Sequence, residues 1–94
     1  MVTTATVQIG NTDNSLTQNE WSQFIYDMHE RIAEHCTHIH FKGGSEYDAP
    51  WQNACWVVLV CSSAIDPLRE AVIECRKCYR QKSAAITFGN TEMI

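Results

Sequence analysis

Ala54-Cys55-Trp56-Val57-Val58-Leu59-Val60-Cys61 is the stretch that decides the fold. The run is apolar throughout, has no helical period, and falls far short of the roughly 20 residues of a membrane span. It reads as a β-strand with two apolar faces: Trp56, Val58 and Val60 on one side, and Cys55, Val57, Leu59 and Cys61 on the other. A strand of this kind has to be covered on both sides.

Working outward, residues 4–9 alternate, with Ala5, Val7 and Ile9 opposed to Thr6 and Gln8, which is the period of a half-buried strand. Residues 10–14 break it. Thr17 and Glu20 form a capping box, and Trp21, Phe24, Ile25, Met28 and Ile32 follow at helical spacing. Residues 37–41 predict a second strand, with Ile39 and Phe41 facing one way and His38 and His40 the other. Residues 42–50, with two glycines, predict a polar loop. After the central run, Asp66 and Pro67 predict a helix start, and Leu68, Ala71, Val72, Cys75 and Tyr79 trace a helical stripe. Residues 83–88 predict the last strand.

The order is β-α-β-β-α-β, expected to form a single α+β domain over residues 1–94. This is the ferredoxin-like order, a four-stranded antiparallel sheet with two helices on one face. Two helices cover only one face, whereas the third strand is apolar on both, so a second copy of the chain is the simplest cover for the other. The expectation is a homodimer or higher oligomer, with Thr6, Gln8, His38 and His40 at or beside the interface.

Composition narrows the function classes. A chain of 94 residues with 45% hydrophobic and 19% charged residues is ordinary for a small soluble domain. Its start lacks the basic and apolar segments of a signal peptide, so a cytoplasmic location is expected, that of the host cell if a phage encodes the protein. The five cysteines are expected to be reduced, since an odd number cannot all pair within one chain. A net charge of −4 argues against polymeric nucleic acid as a partner. Arg76, Lys77, Arg80 and Lys82 nevertheless cluster without an intervening acid, a patch suited to a small anion or to the negative end of a helix dipole.

Trp51, Gln52 and Asn53 at a strand mouth offer a stacking ring and two amides that read a planar ligand, or else form a strand-entry turn. Arg80, Lys82 and Ser83 add anion-binding groups between the second helix and the last strand. His38 joins the ligand-binding candidates. His40, beside the glycines, is the candidate for proton transfer. The histidines lack metal-ligand spacings, and no nucleophile motif or phosphate loop occurs, so neither a metal nor a cofactor is expected.

The segments Ile9-Gly10-Asn11-Thr12-Asp13-Asn14, Leu16-Thr17-Gln18-Asn19-Glu20-Trp21, Ala49-Pro50-Trp51-Gln52-Asn53-Ala54-Cys55-Trp56 and Tyr79-Arg80-Gln81 resemble a family of short bacteriophage and actinobacterial proteins. By analogy of size and setting, the resemblance implies an antagonist of bacterial immunity that sequesters or cleaves a nucleotide messenger. Lys82, Ala84 and Ala85 depart from the pattern. The first expectation is therefore a homo-oligomer that binds, and in one version cleaves, a small nucleotide-like ligand. The competing classes are a protein-binding regulatory dimer and a small dimeric enzyme of the ferredoxin-like barrel type acting on a hydrophobic substrate.

Overall fold

The computed structural model describes residues 1–46 and 48–94. Strand β1 (Val2–Gly10) leads through a 3-10 turn (Thr12–Asn14) into helix α1 (Gln18–His35), and β2 (His38–Gly44) then pairs with β3 (Asn53–Cys61). A second 3-10 turn (Ser62–Ala64) opens helix α2 (Ile65–Cys78), and β4 (Ala85–Gly89) closes the sheet. The sheet order is β2-β3-β1-β4, and every neighbouring pair is antiparallel. The run at 54–61 thus forms the body of a central strand, as its two-sided apolar pattern demands.

Both helices lie on one face. Ala5, Val7 and Ile9 of β1 and Ala54, Trp56, Val58 and Val60 of β3 meet Trp21, Phe24, Met28 and Ile32 of α1 and Leu68, Val72 and Cys75 of α2 in one buried core. Helix α1 starts as its sequence predicts: the Thr17 side chain accepts from the Glu20 backbone N–H at 3.1 Å, and the Glu20 carboxylate accepts from the Thr17 N–H at 3.0 Å. Helix α2 starts earlier than the Asp66-Pro67 pair suggests, with Ala64 as N-cap. Pro67 is tolerated because the first-turn N–H it lacks would have had no helical partner. Tyr79 stacks on Phe24 at a centroid distance of 4.8 Å and donates its hydroxyl to Asp27. Desolvation, and then the Asp27 carboxylate, push the Tyr79 hydroxyl up to about 12.

Strand β2 departs from the sequence reading in two ways. It continues through Gly43 and Gly44, which the glycine content assigned to a loop. A Cβ on Gly43 would sit 2.6 Å from Cζ of Phe41, and one on Gly44 would run into the Asn53 carbonyl oxygen, so both glycines serve close packing within the sheet. Secondly, a bulge falls between Ile39 and Phe41: Ile39 pairs with Val58, but Phe41 pairs with Val57. The extra residue turns Phe41 away from the core to the side of His38, where it is 54% exposed. The expected loop at 42–50 therefore shrinks to the stretch after Gly44, of which Tyr47 lies outside the described residues.

The cysteines are all free, with Cys75 fully buried and Cys61 and Cys78 exposed. Desolvation in the core pushes the Cys75 thiol up to about 11, which keeps it protonated and unreactive near neutral pH. Cys75→Ser should lower unfolding stability by about 1–3 kcal/mol, because a hydroxyl costs more than a thiol to bury at this fully enclosed position. Chemical denaturation of both proteins checks this, and slow alkylation of Cys75 beside rapid labelling of Cys61 and Cys78 gives a second readout.

Candidate functional site

At one end of the sheet Gly10 of β1 faces Asn53 of β3, and the loop before α1 and the segment after α2 close around them. Three amide side chains lock this end. Asn11, Gln52 and Gln81 are 5%, 5% and 3% exposed. Asn11 donates from Nδ2 to Gln52 Oε1 at 2.9 Å and accepts from the Leu16 N–H at 2.9 Å. Gln52 also exchanges hydrogen bonds with Gln18, at 2.7 and 3.0 Å. Gln81 accepts from the Thr12 N–H at 3.1 Å and donates to Ser15 Oγ at 3.1 Å. The Gln52 amide, expected to face a ligand, points inward and ties β3 to the loop after β1.

Trp51 and Arg80 stand at the surface of this locked end. Trp51 is 82% exposed, a large apolar area left in water. Arg80 follows α2 in a left-handed backbone conformation, with φ at 60°. The Gln81 N–H donates to the Arg76 carbonyl at 2.9 Å and the Arg80 N–H to that of Lys77 at 3.0 Å, the Schellman closure that ordinarily places glycine at this position. An arginine there costs about 1 kcal/mol of backbone strain, and its guanidinium reaches Glu20 at 2.9 Å. The Thr17 backbone N–H, and then Arg80, hold the Glu20 carboxyl below its usual range.

Three grooves run around this rim and share residues. One is lined by Trp51, Gln52 and the segment 10–13. The next takes Thr12 and Asp13 from the first and adds Arg80, Gln81 and Lys82. The third begins at Lys82 and Ser83 and continues between α2 and β4. The rim thus collects Trp51, Gln52, Arg80, Lys82 and Ser83 from the residues singled out in the sequence. Asn53 instead lines a groove at the β2 edge with Trp21, Ile25 and Lys42. Arg69 and Phe88, which sequence reasoning passed over, line the third groove, and Asp13 sits between Trp51 and Arg80 with its own left-handed backbone, at φ 56°.

The sequence matches no protein-family model. No curated protein matches it either. Among solved structures, a dimeric ferredoxin-like protein of unknown function from Thermobifida fusca superposes with a TM-score of 0.65 at 8% identity, covering 96% of this chain and 92% of that one. SnoaB, a cofactor-independent oxygenase from Streptomyces nogalater, gives a TM-score of 0.54 at 8% identity, covering 99% and 94%. The fold is ferredoxin-like. At these identities the likeness carries the architecture and nothing further.

The ferredoxin-like frame leaves one sheet face without helices. Register places Thr4, Thr6 and Gln8 of β1, Cys55, Val57 and Leu59 of β3, His38 and Phe41 of β2, and Thr87 of β4 on it. His38 and His40 bring their rings to a centroid distance of 4.9 Å, edge to face. This pair belongs to the sheet face, apart from the Trp51–Arg80 rim within one chain. Among the described residues, no three histidine, cysteine or acidic side chains come together as a metal site. Nor, among those residues, is any helix long and apolar enough to cross a membrane.

Proposed function

We propose that this chain works as a homodimer, closed through the helix-free sheet face, that binds a small nucleotide-like anion at the rim carrying Trp51, Arg80 and Lys82. The observation that carries the binding site is Arg80 itself, a strained arginine where helix-end geometry favours glycine, displayed in one groove with Lys82 and next to the groove of Trp51. Trp51 supplies a stacking face and the two cations supply the charge. The dimer is supported by Phe41, Val57 and Leu59 on the uncovered face and by the dimeric ferredoxin-like neighbour. In the phage setting that the sequence resemblance implies, such a protein counters host immunity by removing a nucleotide messenger from solution. With His40 on the sheet face, binding without turnover is the version this geometry favours.

The uncovered face, with Val57, Leu59 and Phe41 among its threonines and histidine, also supports the protein-binding reading, in which a host factor takes the place of the second copy. The enzyme reading draws on the likeness to SnoaB and asks for a closed apolar cavity. The centre of the space between helices and sheet is filled by Phe24, Met28, Ile32 and Trp56, all fully buried, and the groove between α2 and β4 is open to solvent, not a closed cavity, which favours a binding role over that one.

Calorimetry with a panel of cyclic and linear nucleotides, alongside chromatography of products, tests the proposal. Trp51→Ala should weaken binding by about 1–3 kcal/mol if a base stacks on the ring. Arg80→Gly should leave the fold as stable or more stable, because glycine relieves the left-handed strain, while weakening binding and flattening its salt dependence. His40→Ala should leave affinity near that of the parent. Absence of heat and of product with every nucleotide at millimolar concentration transfers the case to the protein-binding reading.

A further inference from the structure

Helix α2 carries two stripes. Leu68, Ala71, Val72 and Cys75 face the core, while Arg69, Val72, Ile73 and Arg76 recur at i, i+3, i+4 and i+7 and line a groove beside β4. Strand β4 is the sheet edge and pairs only with β1. Its helix-side residues Ile86 and Phe88, opposite Val7 and Ala5, are incompletely covered, Phe88 being 39% exposed. The gap left between helix and edge strand is a groove of about 430 Å³, which lies within the usual range of small-ligand sites.

Its lining divides by chemistry. Val72, Ile73, Ala84, Ile86 and Phe88 make an apolar floor and wall, and among the described residues no carboxylate lines the groove. Arg69 is paired with the exposed Asp66 and lies over the Phe88 ring, with Cζ 5.9 Å from the centroid, which engages it at the Phe88 end of the groove. Arg76 is held in place by donating from Nη1 to the Gln81 carbonyl at 3.0 Å, and Gln81 is itself fixed by the amide lock. The remaining donors of its planar fork stay available for an anion. Lys82 is exposed and adds a second cation beside Ser83.

We infer that this groove binds an amphipathic carboxylate, with a hydrocarbon chain or ring on Ile73, Ile86 and Phe88 and the carboxylate between Arg76 and Lys82. A pre-positioned arginine at the end of an apolar trough selects a molecule with one charged end, and the apolar floor disfavours a bare inorganic ion. The inference does not rest on nucleotide binding at the Trp51 rim, although Lys82 borders both grooves. Octanoate, octanol and inorganic phosphate are the probes, titrated separately into the intact protein and followed by the amide signals of Ile73, Ser83, Ala84 and Ile86. Octanoate should move these signals, octanol should bind at least about tenfold more weakly, and phosphate alone should leave them in place. Lys82→Glu, a change on an exposed side chain, should reduce octanoate affinity by at least about tenfold, and Ser83→Trp should block the groove mouth. Equal affinity for octanol and octanoate, an equal response to phosphate, shifts confined to other regions, or octanoate binding unchanged in a folded Lys82→Glu protein would each overturn the assignment. Nucleotide binding that persists while octanoate fails isolates the fault in this groove, and the reverse result isolates it in the rim.

Discussion

Leu59→Asp should convert the proposed dimer into a folded monomer. Leu59 lies on central strand β3, opposite Thr4 on one side and His38 on the other, on the face that no helix covers. In the proposed dimer, two such faces packed together would bury each Leu59 on the face that also carries Val57 and Phe41. A carboxylate in that position loses its hydration, and the neighbouring His38 imidazole offsets only part of an effective cost of several kcal/mol per ion. The dissociation constant should therefore rise by at least about 100-fold, since every 1.4 kcal/mol is a factor of ten. Within one chain, the same side chain points away from the core of Trp56, Phe24 and Leu68 and remains half-exposed, so the fold survives. Sedimentation over a concentration series, with circular dichroism as the folding check, reads both parts. A variant that stays dimeric would move the interface to another surface.

Trp56→Ala should be the most damaging single change to stability. Trp56 is fully buried at the centre of the sheet, and its Nε1 donates to Nδ1 of His29 at 3.0 Å. Removing the indole deletes a large apolar surface and leaves a cavity that neighbouring strands cannot collapse to fill, a loss of about 3–5 kcal/mol. Small domains hold only about 5–15 kcal/mol in total. Denaturant unfolding should show a midpoint shift of corresponding size, or a protein that no longer folds at 37 °C. Trp56→Phe keeps most of the packing and gives up the hydrogen bond, a smaller loss of about 1 kcal/mol. The difference between the two variants separates cavity from hydrogen bond.

The legible parts of the fold are those where a local period meets a strong cap or a two-sided apolar run. The capping box at Thr17 and Glu20 and the stripe behind it place α1, and residues 54–61 announce a central strand apolar on both faces, of which the helices cover one. Strand β2 was harder to read, because Gly43 and Gly44 signal a loop in isolation. Only the paired strand shows why a side chain is excluded there, the obstacles being the Phe41 ring and the Asn53 carbonyl oxygen. The bulge at His40 is equally silent in the sequence. One inserted residue reverses the facing of Phe41 without changing the apolar-polar alternation that was read from residues 37–41.

The candidate site is partly legible for a similar reason. Exposed groups such as Trp51, Arg80 and Lys82 are recognisable by residue type, and the structure places them on one rim. Gln52 has the same composition signal but is drawn inward by Asn11 and Gln18, both distant in sequence. The second stripe of α2 was overlooked because Val72 belongs to both stripes and the core stripe reads more strongly. Arg69 and Arg76 at its ends, seven residues apart, are the signal that marks it.

Native mass spectrometry of the protein purified gently from cells tests the central claim most directly, since it reports subunit number and retained ligand in one spectrum. The account predicts an ion at twice the 10.7 kDa chain mass, carrying an added small mass that is released on collisional activation. A bare 10.7 kDa monomer at micromolar concentration, binding none of the nucleotide or octanoate probes when they are added, would contradict it.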